Sequence, residues 1–232
     1  FLSFRNKTFN SDLQKLYNRK AYPPEIEKTV AEIISEVKKK GDVALCKFAL
    51  RFDKAKLFPD QLKVSEEEIV IADKSVSKDL KSIVSRAIDN IQKFSSRKIP
   101  SEWNFSPRNG VTLGERYEPF SRVGVYIPGG SAPLISTAIH TITIAKTAGI
   151  REIVAVTPPC PSGQLLPEMT YVIHKAGATE IYKIGGVYAI AALAYGTKKI
   201  KKVEKIVGPG NAYVSAAKKM VFGEVSIDMI AG

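Results

Sequence analysis

Cysteine and histidine are scarce in this chain, which has 232 residues and only two of each. Cys46 and Cys160 lie far apart, and with no secretory context we expect two reduced, buried thiols in a cytoplasmic protein. His140 and His174 fall within predicted helices, at positions expected on the surface or between helices. No cluster of His, Cys and carboxylate residues has zinc-ligand spacing, and no Ser–His–Asp arrangement can be argued. Residue types alone therefore predict no catalytic or metal centre.

Long apolar runs are lacking as well. None approaches the roughly 20 residues needed to cross a bilayer, so we expect no membrane association. The first ten residues lack a cationic segment followed by an apolar one, and we therefore expect no signal peptide. The formal net charge of +12 raises the question of nucleic acid. However, the lysines are dispersed and no arginine-rich arm is present, so we interpret the charge as solvated surface and expect no nucleic-acid partner.

Residues 1–122 are predicted as a helical N-terminal region with a β-rich connector, forming part of a domain that further residues would complete. Apolar positions between Glu25 and Lys40 recur on one helical face, and Gly41 stands where a helix ends. A capping-box signature, Ser65-x-x-Glu68, starts another helix. The connector, residues 101–122, contains an Asn-Gly dipeptide that is typical of a hairpin turn.

Residues 123–232 have a different sequence pattern, in which short apolar runs alternate with segments of helical periodicity. Alternation of this kind is typical of a parallel sheet built from right-handed βαβ units, so the fold class is α/β. The predicted strands are 123–127, 152–156, 180–184, 203–207 and 225–230.

Glycines follow three of the four strand ends at which a ligand would bind to such a sheet. They are Gly129 and Gly130, the pair that opens GGVY (185–188), and Gly208 with Gly210. A βα turn needs glycine whatever it binds, but three glycine turns on one rim favour a phosphate- or nucleotide-binding edge. None of the turns has a G-x-G-x-x-G or Walker pattern.

Three further residues stand near these turns. Asn211 fits a helix N-cap and also a ligand contact, and the two roles are compatible. Tyr126, near the end of the first strand of this region, fits either stacking on a base or ribose or filling the core. Asp228 is expected in the last strand, where it would hold the adjacent backbone.

Several segments occur in the order and spacing of one family. They are RVGVYIPGG (122–130), KIVGPGNAYVSAAKKMVFG (205–223) and SIDMIAG (226–232). By these segments the chain resembles the histidinol dehydrogenases. The resemblance implies oxidation of L-histidinol to L-histidine through an aldehyde, with NAD and zinc as cofactors. It also implies a homodimer and an incomplete Rossmann-like, doubly wound sheet over 123–232.

The resemblance further implies NAD contacts from Tyr126, Tyr188 and Asn211. It places the zinc ligands and the catalytic residues beyond Gly232, so no catalytic or metal residue is expected in this chain, which alone should be inactive. Two departures from the family pattern stand out. Tyr188 replaces a glutamine, and the segment that follows Gly130 lacks the family's Tyr-Pro and Met-Asn features. The alternative hypothesis is a truncated, non-catalytic paralogue that acts as a nucleotide-binding or assembly module.

Overall fold

A computed structural model describes three stretches of the chain, residues 4–17, 24–129 and 134–230. Within them the helices are α1 (Phe9–Tyr17), α2 (Pro24–Lys40), α3 (Asp42–Phe48), α4 (Glu66–Ser75), α5 (Lys78–Ser96), α6 (Ile135–Thr147), α7 (Pro167–Ala176), α8 (Gly186–Tyr195) and α9 (Ala212–Val221). The strands are β1 (Trp103–Arg108), β2 (Val111–Glu115), β3 (Arg122–Tyr126), β4 (Glu152–Thr157), β5 (Glu180–Lys183), β6 (Lys205–Val207) and β7 (Ser226–Ile227).

The local signals of the N-terminal region are confirmed. Helix α2 ends at Gly41, whose φ of 54° is the left-handed conformation that glycine adopts without strain. The capping box of α4 is complete, because the Ser65 hydroxyl accepts from the Glu68 N–H at 3.2 Å and the Glu68 carboxylate accepts from the Ser65 N–H at 2.8 Å. Strands β1 and β2 form the predicted antiparallel hairpin, with Gly110 at a φ of 78° in its turn.

The predicted parallel α/β sheet is also confirmed. Five parallel strands stand in the order β5-β4-β3-β6-β7. From β3 the chain adds β4 and β5 on one side and then β6 and β7 on the other, so the strand order reverses between β3 and β6 while all strands stay parallel. All five residues of β3 are buried, as expected for a central strand that is covered on both faces. Ligands of doubly wound sheets bind where the strand order reverses, at the carboxyl ends of the strands. The topology therefore directs attention to the end of β3 and the end of β6.

Helices from the N-terminal region pack on the helices that flank both faces of this sheet. On one face α2 and α3 pack with α8 and α9, and on the other α4 and α5 pack with α6 and α7. The segment from Leu62 to Val64 also extends the sheet beyond β5, because Val64 donates to the Ile181 carbonyl at 2.9 Å and Lys183 donates to the Leu62 carbonyl at 2.7 Å. Residues 1–122 thus contribute to both hydrophobic cores, and the proposed division between residues 122 and 123 stays a prediction.

Two expectations need correction. The last strand is shorter than predicted, since β7 ends at Ile227 and Asp228 lies just beyond it. The Asp228 carboxylate accepts from the N–H of Met229 at 2.7 Å, which takes that N–H out of the strand ladder. Cys46 and Cys160 are both free thiols, but each is only half-buried rather than buried. In the stretches that the structure describes, no helix combines the length and apolarity needed to cross a membrane.

A buried arginine joins the amino ends of three strands. Arg122, at the start of β3, is 6% exposed and donates to both carboxylate oxygens of Glu180, at 2.9 and 3.0 Å. It also donates to Glu152, so the first residues of β3, β4 and β5 are tied together. Burial alone would raise the pKa of Glu180, but the hydrogen bonds from Arg122 and Tyr182 outweigh it and lower that pKa. This cluster fastens the edge of the sheet opposite to the ligand-binding edge.

Arg122→Met should lower the free energy of unfolding by about 2–4 kcal/mol at neutral pH, because Glu180 is left partly buried without its cation. Chemical denaturation followed by circular dichroism measures this loss. Arg116→Met is the matched control, since Arg116 is exposed and pairs with exposed glutamates. Its transition should not move measurably. Equal stability of the two variants would contradict a structural role for the Arg122 cluster.

Candidate functional site

A cleft of about 540 Å³ opens at the carboxyl edge of the sheet, where the strand order reverses. We call it the switch-point cleft. Its walls come from the turns after β3, β4, β5 and β6 and from α2 and the segment that follows α3. The lining residues are Thr29, Ile33, Arg51, Phe52, Asp53, Tyr126, Gly129, Pro158, Gly186, Val187, Tyr188, Asn211 and Tyr213.

Four residues that the sequence assigned to a cofactor meet in this cleft. Tyr126, Gly129, Tyr188 and Asn211 all line it, although they are spread over more than 80 positions of the chain. Gly208 and Gly210 shape the turn that precedes Asn211, whereas Gly130 lies outside the described residues. The cleft therefore gathers the predicted side chains, and their contacts with a cofactor stay a prediction.

Most of the glycines at this edge are required by the protein's own packing. A Cβ added to Gly129 would lie 2.2 Å from Cγ of Pro158, and one added to Gly185 would lie 2.5 Å from Cβ of the same proline. At Gly208 an added Cβ would lie 2.1 Å from the carbonyl oxygen of Tyr126. These turns are pressed against one another, which explains their glycines without any ligand.

Gly186 differs from the other glycines of this edge. Its φ is 53°, and an added Cβ would meet no atom within 4 Å, so its backbone faces open space in the cleft. Its N–H donates to the Tyr126 hydroxyl at 3.2 Å. Tyr126 is 5% exposed, so its ring fills core space and its hydroxyl steadies the turn after β5. The ring is therefore buried, as the core-filling interpretation expects, and a contact of Tyr126 with a cofactor stays a prediction.

Asn211 is the N-cap of α9, as the sequence suggested. Its side-chain oxygen accepts from the N–H groups of Tyr213 and Val214, each at 3.1 Å. This use of the oxygen leaves the two amide hydrogens of the same side chain for another acceptor. Because the residue also lines the cleft, its amide is placed to donate to a bound molecule while its oxygen caps the helix.

Tyr188 is buried, and its hydroxyl donates to a carboxylate oxygen of Asp53. Its ring packs beside that of Phe48, with 5.9 Å between the ring centres. Burial, together with the neighbouring Asp53, raises the pKa of the Tyr188 hydroxyl far above its ordinary range, so it remains a proton donor. The tyrosine therefore links the helix after β5 to the N-terminal region.

Asp53 lines the cleft, although the sequence did not single it out. It ends a short π-helical stretch, Ala49–Asp53, and the next residue, Lys54, has a left-handed φ of 59°. Single π-helical turns and left-handed non-glycine residues recur at functional sites. Burial raises the pKa of Asp53, while the hydrogen bond from Tyr188 opposes that shift. No local motif marks this aspartate, because its hydrogen-bond partner lies 135 positions further along the chain.

A second cavity of about 320 Å³ adjoins the switch-point cleft. The two share Asp53, Gly129 and Pro158, so the carboxylate of Asp53 stands between them. The second cavity is otherwise mainly apolar, with Leu165, Leu166, Met169 and four residues of the turn after β4 in its walls. The two cavities therefore lie side by side at the carboxyl edge of the sheet.

The turn between β6 and α9 is held by a buried ion pair. Lys218 is 2% exposed, and its ammonium donates to the Gly208 carbonyl at 2.9 Å and to the Asp228 carboxylate. The other oxygen of Asp228 accepts from the Gly208 N–H at 2.9 Å. Both polar groups of Gly208 are thereby fixed, which confirms that Asp228 holds the adjacent backbone. Burial would raise the pKa of Asp228, but these hydrogen bonds outweigh it and lower that pKa.

The remaining candidates lie apart from the cleft. His140 and His174 are both exposed on helices, in agreement with the sequence prediction. Among residues 4–17, 24–129 and 134–230, no three His, Cys, Asp or Glu side chains gather closely enough to hold a metal ion.

Lys218→Met should lower the free energy of unfolding by about 2–4 kcal/mol at pH 7, because Asp228 loses its buried cation. The pKa of Asp228 is lower when folded, so the stability gained from this pair is present above the ordinary value of 3.8. It is lost as the pH falls through the lower folded pKa, and the difference from the wild type should therefore shrink below about pH 4. Urea denaturation at several pH values measures both effects.

Lys219→Met is a matched control for this prediction. It makes the same replacement one position later, where the lysine side chain is 53% exposed and pairs with Glu27. A loss of stability in this variant comparable with that of Lys218→Met would show that general charge, not the buried pair, is responsible.

Comparison with known proteins agrees with the resemblance in the sequence. The family model described as Histidinol dehydrogenase matches residues 17–232. The histidinol dehydrogenase of Syntrophotalea carbinolica is 44% identical over the whole chain, and that of Symbiobacterium thermophilum is 41% identical over the whole chain. This chain covers 54% and 51% of those two proteins, and so spans about half the length of the curated relatives that it matches.

A solved structure shares the fold as well. The crystal structure of histidinol dehydrogenase from Elizabethkingia anophelis superposes with a TM-score of 0.87 at 37% sequence identity. The match covers 96% of this chain and 51% of that one. The family model, the identity to relatives and the shared parallel sheet agree, and this chain belongs to the histidinol dehydrogenase family.

Proposed function

We propose that this chain supplies the dinucleotide-binding part of an enzyme that oxidises L-histidinol to L-histidine through an aldehyde. NAD⁺ is the cofactor, and it binds in the switch-point cleft. The observation that carries the proposal is the convergence of Tyr126, Tyr188 and Asn211, which the family resemblance assigns to NAD, on one cleft where the strand order reverses.

The shape and polarity of the cleft suit this ligand. Its volume of about 540 Å³ lies within the usual range for small-molecule sites, and the adjoining cavity extends it. The amide of Asn211 and the exposed Arg51 offer hydrogen-bond donors to phosphate oxygens, and Tyr213 and Phe52 offer ring faces to a base. NAD⁺ would accept one hydride in each of the two oxidations, of the alcohol and of the hydrated aldehyde, so that two NAD⁺ are consumed, and residues of this chain would hold each dinucleotide in place.

Zinc is the second cofactor that the resemblance implies. The described residues do not bring together three side chains able to hold a metal ion, so we assign no metal-dependent step to them. The relatives are about twice as long as this chain. We propose that the metal and the catalytic groups belong to the part of the enzyme that corresponds to the rest of those relatives. We also propose that the intact enzyme is a cytoplasmic homodimer.

A calorimetric titration of the 232-residue chain with NAD⁺ measures the dissociation constant and so tests the proposal. Asn211→Ser should weaken binding about tenfold, because serine keeps an oxygen for the helix cap but has no amide donor. The melting temperature should stay within about 2 °C of the wild type, since serine is an equally good cap. Asn104→Ser, in the exposed hairpin strand β1, is the matched control and should bind NAD⁺ as the wild type does.

Absence of NAD⁺ binding by the wild-type chain would overturn the proposed function. Unchanged affinity in Asn211→Ser would remove Asn211 from the site while leaving the cleft as the binding place. Mixing the chain with NAD⁺, L-histidinol and zinc should give no sustained rise in nicotinamide absorbance. A sustained rise would show that the catalytic groups lie within this chain.

A further inference from the structure

We propose that Asp53 selects NAD over NADP by accepting a hydrogen bond from the 2′-hydroxyl of the adenosine ribose. The inference rests on the proposed function, since it takes the switch-point cleft as a dinucleotide site. It adds Asp53, which lies in the N-terminal region and outside the glycine turns of the sheet, to the residues proposed to contact the dinucleotide.

The position of Asp53 is the first argument. Its carboxylate stands where the switch-point cleft meets the second cavity, and no other acidic residue lines either of them in the described part of the chain. A ligand that occupies both cavities therefore lies against Asp53. The backbone conformation around Asp53 is unusual, because a π-helical stretch ends at this residue and the next residue has a left-handed φ.

The hydrogen bonding of Asp53 is the second argument. Tyr188 donates to one carboxylate oxygen, Oδ2, and so fixes the orientation of the group. Among the described residues, no hydrogen bond is made to the other oxygen, Oδ1. A carboxylate accepts but does not donate, so Oδ1 can accept a hydrogen bond from a hydroxyl of a bound ligand, and the hydroxyl donors of a dinucleotide are those of its riboses. The tyrosine thus acts as a positioning residue for the aspartate.

Charge supplies the selectivity. In NADP the 2′-hydroxyl is replaced by a phosphate that carries close to two negative charges. Like charges a few ångström apart repel strongly when both are partly desolvated, and the phosphate brings no donor for Oδ1. Acidic side chains that bind the ribose of NAD in other doubly wound sheets discriminate in the same way.

Arg51 is the one cationic residue that lines the described cleft, and it is the main competing explanation. An arginine near the ribose would instead favour the 2′-phosphate. Its guanidinium lies over the Phe52 ring at 5.1 Å from the ring centre, and the residue is exposed at the mouth of the cleft. In this proposal the Arg51 guanidinium attracts the pyrophosphate, which NAD and NADP share.

The test is a pair of titrations, with NAD⁺ and with NADP⁺, of the wild-type chain and of Asp53→Asn. The wild type should bind NAD⁺ roughly 100-fold more tightly than NADP⁺, and the variant should bring the two affinities within roughly threefold. Asparagine has nearly the same shape and can still accept from Tyr188, so the fold is retained. Urea denaturation of the variant checks that it is. Asp53→Glu, which keeps the charge, should restore at least part of the preference.

Two further variants separate the explanations. Asp60→Asn removes an exposed carboxylate that lies outside the cleft and pairs with Lys199, and it should leave the preference unchanged. Arg51→Gln should weaken both dinucleotides equally. A preference that survives in Asp53→Asn, or that changes with Arg51→Gln instead, would overturn the inference while the proposed NAD site stands. Failure of the wild type to bind either dinucleotide would overturn both.

Discussion

The close approach of the turns after β3 and β6 is the constraint on which the cleft depends. The backbone of Gly208 lies against the carbonyl of Tyr126, so near that a single added Cβ would stand 2.1 Å from the oxygen. The carbonyl of the same glycine accepts from Lys218, and its N–H donates to Asp228. Since Asn211 follows three residues later, its position in the cleft is fixed by this contact. The strand order places the cleft, and the contact at Gly208 holds the turns after β3 and β6 close together.

The N-terminal region completes the site rather than merely supporting the sheet. Residues of α2 form one wall of the switch-point cleft, and the π-helical stretch after α3 places Asp53 where this cleft meets the second cavity. The bond between Asp53 and Tyr188 joins that stretch to the helix after β5. A sheet without these contacts would still expose the glycine turns, but the cleft would lack its acidic residue, Asp53, and the ring of Phe52.

The sequence predicted those features that depend on neighbours along the chain. The capping box of α4, the hairpin turn and the N-cap at Asn211 follow from local hydrogen bonding, and all three are present. The parallel sheet followed from the alternation of apolar runs. Asp53 could not be predicted, because its role arises from a partner 135 positions away. The end of β7 was misjudged because the Asp228 carboxylate accepts from the Met229 N–H, a bond that an apolar pattern does not record.

A crystal structure of the chain with NAD⁺ would examine the switch-point cleft itself. The account predicts a dinucleotide lying across the turns after β3 and β6, with the Asn211 amide donating to it and Oδ1 of Asp53 accepting from a ribose hydroxyl. A dinucleotide bound elsewhere on the chain, with this cleft filled by the protein's own side chains, would contradict it.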